Sequence, residues 1–371
     1  MKCPVCDNVN TSMICPKCGF DSSRDYGKYP TLSPARRVPS ASALRAQHQQ
    51  PRIIPEPIPP APPAVQPPRR KGIGILAVIV CLIALGAGLW FGLGANGTES
   101  GNWSDNMLCS DTIEYQSSDP TDWPCEAEEY PVFDSEYQRW EIQSVTFLDT
   151  LKNMPNNAWD VSMYGDGSVM AWVKYNGDLY DLYIGANGGI NGAEACSDLF
   201  AGYSFLEEIN FGNAFHTDDA KSMAWMFSGC MSLESLDLSS LDTSNVEDMC
   251  CMFESCMMLT DLDLSDFDTR WVQDMSFMFS ECYSLRSVNL SSFNTTRVED
   301  MCGMFINCFS LEKLDLRNFR TSNVWDMSYM FCACESLQRL NLSNFDTSNV
   351  VDMTDMFTDC PAGEEWSYLL N

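Results

Sequence analysis

Four cysteines open the sequence in a spacing that suits a metal ion. Cys3-Pro-Val-Cys6 and Cys15-Pro-Lys-Cys18 are two CxxC pairs separated by eight residues. Each pair forms a tight turn presenting two thiolates, and together they complete a tetrahedral Zn(II) site. Twenty residues bury too little apolar surface to fold alone, so the metal would supply most of the folding free energy. A second pattern recurs far downstream. Asn210, Asp237, Asp263, Asn289, Asp315 and Asn341 occupy the middle of Leu-x-Leu or its variants. Stacked about 5 Å apart on one strand face, they would form an acid–amide ladder. Such a ladder binds cations or a basic partner, or else it keeps a solvated face polar against aggregation. A third column comprises Cys230, Cys256, Cys282, Cys308, Cys334 and Cys360, expected to pack as small buried hydrophobes. Cys109 and Cys125 lie apart from it in an acidic spacer, where a disulfide and two thiols both fit.

Several chemistries are excluded. His48 and His216 are the two histidines of the 371-residue chain, which removes most acid–base catalysis and His-rich metal sites. There is no GxSxG, no phosphate-cradling glycine loop and no HExxH, so the reading is not an enzyme. Charge is divided unevenly. Residues 1–71 carry 11 Lys/Arg and 4 Asp/Glu, whereas 72–371 carry 11 and 47. The larger part would repel a phosphate backbone, so no nucleic-acid partner is expected.

The elements that must position these residues differ sharply along the chain. Twelve of the 19 prolines lie between Pro30 and Pro68, so residues 21–71 read as a disordered, semi-stiff linker after a ribbon at 1–20. Residues 72–95 contain no charged side chain, and 24 residues of helix span roughly 36 Å, enough for a membrane. Arg69, Arg70 and Lys71 precede that run. The expectation is a single-pass protein embedded in a bacterial cell membrane, with a cytosolic N-terminus and an extracellular repeat domain. An acidic spacer follows at 96–141 and a β-rich cap at 142–193.

From 194 to 371 a repeat dominates. Met-Phe recurs at 226–227, 252–253, 278–279, 304–305, 330–331 and 356–357, with Leu199-Phe200 as an earlier copy. A fixed 26-residue period indicates a solenoid. Within one unit, Val246, Met249, Met252, Phe253 and Cys256 share one face of a predicted amphipathic helix, with Thr243-Ser244-Asn245 as its cap. Leu259, Leu262 and Leu264 then alternate as in a short strand. The expected fold is an α/β solenoid of about seven strand–helix units, a leucine-rich repeat, with a β-rich N-terminal cap. In the cap, Val169–Val173 and Leu179–Ile184 read as strands around Asn176-Gly177. Trp159, Trp172 and Tyr183 are expected to cover the first coil, and Trp366, Tyr368, Leu369 and Leu370 the last.

The stretches DMSFMFSECYSLRSVNLSSFNTTRV and DMSYMFCACESLQRLNLSNFDTSNV resemble the BspA-type leucine-rich repeats of microbial surface proteins. Residues from about 142 to 190 resemble the segment leading into such repeats, and the first 20 resemble small zinc ribbons of prokaryotic membrane proteins. The resemblance implies display outside the cell and adhesion to an extracellular protein or glycan ligand, without catalysis. The alternative is a transmembrane sensor or scaffold that couples the ectodomain to a cytosolic protein partner of the ribbon.

Overall fold

A computed structural model describes Met107, Leu108 and residues 131–370, with side chains to Trp366. The candidate Zn(II) ligands Cys3, Cys6, Cys15 and Cys18, the linker, the apolar run at 72–95, and Cys109 and Cys125 lie outside the described residues.

The described part of the chain opens on a mixed sheet. Strands β1 (Ile142–Leu148), β2 (Trp159–Asp160), β3 (Val169–Tyr175), β4 (Tyr180–Ala186) and β6 (Glu208–Asn210) run in the order β2-β3-β4-β1-β6. β3 and β4 form the expected hairpin. At its turn the Asn176 side-chain oxygen accepts from the Asp178 and Leu179 N–H groups, and Gly177 takes φ +115°, a backbone that glycine adopts without strain. Alternation sends Val169, Ala171, Val173, Leu182 and Ile184 into the core. Trp172 therefore points to the opposite face, stacked on Tyr183 at 5.7 Å. The ring that meets the first coil is instead Phe147 of β1, 6.1 Å from Phe200 and 4.6 Å from Phe215. β1 pairs in parallel with β4 on one side and β6 on the other, so the cap sheet continues into the repeats. The remaining strands are short: β5 (Ile190–Asn191) pairs with β7 (Phe215–His216), and β8 (Asp261–Asp263) with β9 (Ser287–Asn289).

The 26-residue period appears as a ladder of parallel bridges from Ala195 through Ser222, Asp248, Asp274, Asp300 and Asp326 to Asp352. The expected helices do not exist. Among the described residues the only helical segments are 3₁₀ turns, Arg139–Glu141 and Pro361–Leu370. The strand–helix leucine-rich solenoid is therefore corrected to stacked coils of turns and short strands. The backbone gives the reason. Each coil places two residues four apart at positive φ, for example Cys251 (+59°) with Ser255 (+56°) and Phe277 (+56°) with Glu281 (+60°). An α-helix cannot pass through such residues. The N–H groups instead alternate between two acceptors. Met249, Cys251, Phe253 and Ser255 donate to Asp274, Ser276, Met278 and Ser280 of the next coil, while Met252, Glu254 and Cys256 close turns on residues three earlier.

Each coil thus returns the same side chains to the same place. Phe200, Phe227, Phe253, Phe279, Phe305, Phe331 and Phe357 stack at 5.3–5.9 Å with planes within about 11°. Such offset stacks add to the apolar area already buried. The six-cysteine column is buried as expected, and five of its thiols donate to a phenylalanine carbonyl of the preceding coil, from Cys230 to Phe200 at 3.2 Å through Cys334 to Phe305 at 3.2 Å. Threonines form a further column. Thr243 Oγ1 donates to the Asp268 carbonyl and accepts from the Asp268 N–H, and Thr269, Thr295 and Thr321 repeat the exchange.

The two ends of the stack are closed differently. Every coil's carbonyls receive N–H groups from the coil before, and the first coil has none before it. Arg139, 2% exposed, reaches over from the cap and donates to the Ala201 and Asp198 carbonyls at 2.6 and 3.0 Å. Its guanidinium also lies 5.4 Å from the Tyr203 ring centroid. At the far end Trp366 closes the stack as expected, its Nε1 donating to the Leu340 carbonyl at 2.9 Å.

No helix among the described residues is long and apolar enough to cross a membrane. The described residues thus supply no helix for the single-pass topology expected from the sequence, and the run at 72–95 on which that expectation rested lies outside them.

Candidate functional site

Acidic side chains serve the turns before they serve anything else. In the coil 242–265 three of them curl back to accept the N–H two residues on, and Asn takes some of these places in other coils, as both residues do where a chain reverses. Asp242 accepts from Ser244, Asp248 from Cys250 and Asp263 from Ser265, at 2.8–3.0 Å. The six-membered ladder read from the sequence is one of these columns. Asp237, Asp263, Asn289, Asp315 and Asn341 each bind the N–H two positions later, and all six members including Asn210 are exposed. Because the bonded form is the carboxylate, these hydroxyl and N–H donors hold Asp237 and Asp263 below the ordinary carboxylate range. Arg317 does the same for Asp315.

The ladder is not uniform. Asp263 and Asn289 stand opposite each other on β8 and β9, and Asn289 Nδ2 donates to Asp263 Oδ1 at 2.8 Å. Two positions along the ladder, Ser287 Oγ donates to Asp261 Oδ1 at 2.6 Å. Leu262 and Val288 point inward between these pairs. With Ser235, Leu236 and Asp237 of the preceding coil, Asp261, Leu262, Asp263, Ser287 and Asn289 line an open groove of about 450 Å³. The other ladder members lie outside it. Asn210 belongs to β6 beside Thr146 of the cap, Asp315 is occupied by an ion pair with Arg317 at 2.6 Å, and Asn341 lies two coils beyond Asn289 in sequence. The sequence pattern gave Asp237, Asp263 and Asn289 but missed Asp261 and Ser287. Their signal was present, since period-two alternation puts residues 261 and 263 on the same face.

The bridge column is a second acidic row, and it is largely buried. Desolvation, then the neighbouring Asp300 carboxylate, pushes Asp274 up to about 6, and burial also raises Asp248. Asp326 is fully buried, with Oδ1 accepting from the Ser328 N–H and hydroxyl. Among the described residues no group of three or more His, Cys, Asp or Glu side chains is arranged to hold a metal ion. A metal-binding assignment therefore finds no site in the repeats. His216, on β7, is half-buried against Gly189.

Residues 194–288 and 284–365 match a family model described as Mycoplasma protein of unknown function, DUF285. Both segments fall within the coil array, so this part of the chain is similar to that family. No curated protein matches the chain, and no solved structure does.

Proposed function

We propose that the coil array is a binding module that holds a basic segment of a partner protein across its strand face, without catalysis. One observation carries the reading: the groove that gathers Asp237, Asp261 and Asp263 beside Asn289 has no Lys or Arg in its lining. Three fixed carboxylates favour lysine and arginine side chains, and like-charge repulsion disfavours anionic polymers. Strand β8 presents Asp261 and Asp263, and the turn bond to Ser239 fixes Asp237, so little side-chain freedom is lost on binding. The resemblance to repeat proteins that bind surface partners, protein or glycan, agrees with a partner-binding role.

Exposed charge contacts contribute about 0.2–1 kcal/mol each. Replacing Asp237, Asp261 and Asp263 together by Asn should therefore weaken binding about tenfold, since 1.4 kcal/mol is a factor of ten. An oligolysine peptide titrated by calorimetry at low and moderate salt is the probe. The native protein should bind with strong salt dependence, and the triple variant should lose both affinity and that dependence. Equal affinity of the two proteins at low salt would remove the groove from consideration.

A further inference from the structure

The coil 248–254 differs from its neighbours in one chemical respect. Where the other coils place Ala-Trp, Ser-Phe, Cys-Gly, Ser-Tyr or Thr-Asp, this one places Cys250-Cys251. The two sulfurs are 3.0 Å apart, about 1 Å longer than a disulfide bond. Eleven cysteines lie among the described residues; ten of them are buried and Cys250 is half-buried. Ser276 Oγ donates to Cys250 Sγ at 3.3 Å. Cys251 is fully buried, packed with Phe277, Cys302 and Cys332 beside the main core. The pair thus joins a half-buried thiol to a shielded neighbour in contact with it.

We infer that Cys250 and Cys251 form a vicinal dithiol, a site that closes reversibly with small disulfides and captures trivalent arsenicals. The redox step is a thiol–disulfide exchange with a low-molecular-weight disulfide as oxidant. The Cys250 thiolate attacks one sulfur of R–S–S–R, forming Cys250–S–S–R and releasing the first RSH. Cys251 then gives up its proton and attacks the Cys250 sulfur, which releases the second RSH. Two protein thiols have been oxidised to one disulfide, and one small disulfide has been reduced to two thiols. The peptide between the two cysteines is trans, which sets their Cα atoms about 3.8 Å apart. That is below the usual 4.4–6.8 Å for disulfides, so the closed ring should reopen readily with excess thiol.

The test uses the full chain, reduced, folded and exposed to oxidised glutathione, then unfolded, alkylated and mapped by mass spectrometry. The peptide carrying 250–251 should lose two hydrogens. Cys251→Ser should stop at the glutathione adduct on Cys250, and Cys250→Ser should leave residue 251 unmodified. Phenylarsine oxide on the native protein supplies a readout independent of the variants. Two S–As bonds should form there with loss of water, and a small dithiol should release the arsenical. Wild-type protein that keeps both thiols and retains no arsenical at this peptide overturns the proposal, as does a disulfide from Cys250 to any other cysteine.

Discussion

The cap sheet and the coil array solve the same problem with different bonds. In the cap, seven-residue strands such as β3 and β4 pair along their whole length, and backbone ladders carry the architecture. In the array the longest strands are three residues. Its coils are held by repeated side chains, a phenylalanine stack, a thiol column, a threonine column and rows of Asp and Asn turns. A strand ladder tolerates many side chains, whereas a side-chain column needs one residue type at one position. This is why the array announces its period in the sequence so plainly and the cap does not.

If that contrast holds, the array should be most sensitive where a column is interrupted at its middle. Phe279→Ala removes a ring packed between Phe253 and Phe305. It should cost about 3–5 kcal/mol in urea unfolding, and Phe357→Ala at the stack's end should cost less. The junction comes next. Arg139→Met should lose about 2–3 kcal/mol, because it strips the buried Ala201 carbonyl, and the half-buried Asp198 carbonyl beside it, of a charged donor. Hydrogen exchange should localise the loosening to the first coil. An equal loss spread through the far coils would show that the cap and the array do not meet through this residue.

Smaller effects sharpen the comparison. Thr269→Val keeps the shape but removes a hydroxyl that both donates and accepts, and should cost about 1–2 kcal/mol, with Thr269→Ser recovering part of it. The buried acidic row gives a pH signature that the cap lacks. Burial, with Asp300 beside it, holds Asp274 at about 6, above the unfolded value, so the folded state keeps a proton that the unfolded chain releases near pH 4. That stabilisation is complete below about pH 4 and is lost as the pH rises through about 6, a change of about 3 kcal/mol. Asp274→Asn should flatten the slope of stability against pH in this window. Smallest of all, Asp263→Asn on the exposed face should shift stability by less than about 0.5 kcal/mol, since asparagine can keep the turn bond to Ser265.

The sequence carried the period, the hairpin at Asn176-Gly177, the buried cysteine column and three of the groove residues. It misled on the Met-Phe segment for a definite reason. Val246, Met249, Met252, Phe253 and Cys256 recur every three or four residues, and a run of turns closed on residues three earlier returns side chains at nearly the same interval as a helix. What separates the two is backbone handedness at 251 and 255. The equivalent positions hold Trp225, Cys251, Phe277, Gly303, Tyr329 and Asp355, then Gly229, Ser255, Glu281, Asn307, Ala333 and Asp359, all at positive φ. Glycine appears once in each row, too seldom to betray a left-handed backbone. Arg139 was equally hidden, since a single arginine between Glu136 and Glu141 carries no pattern. Phe147 was passed over for the bulkier Trp172, although alternation along β3 already divides residue 172 from 171 and 173.

The direction of the inter-coil bonds has an electrical consequence. In the turn segment, the peptide units 248/249, 250/251, 252/253 and 254/255 each point C=O toward the preceding coil and N–H toward the next. Each carries about 3.5 D, and units aligned in this way add, as they do along a helix. The column is negative at its first coil and positive at its last, the reverse of an α-helix read in chain order. Arg139 places the one buried guanidinium of the described residues at the negative end, while Glu364 and Glu365 follow the last coil. Chain direction is thus written into the stack as a field, and the two closing segments carry the charges that oppose it.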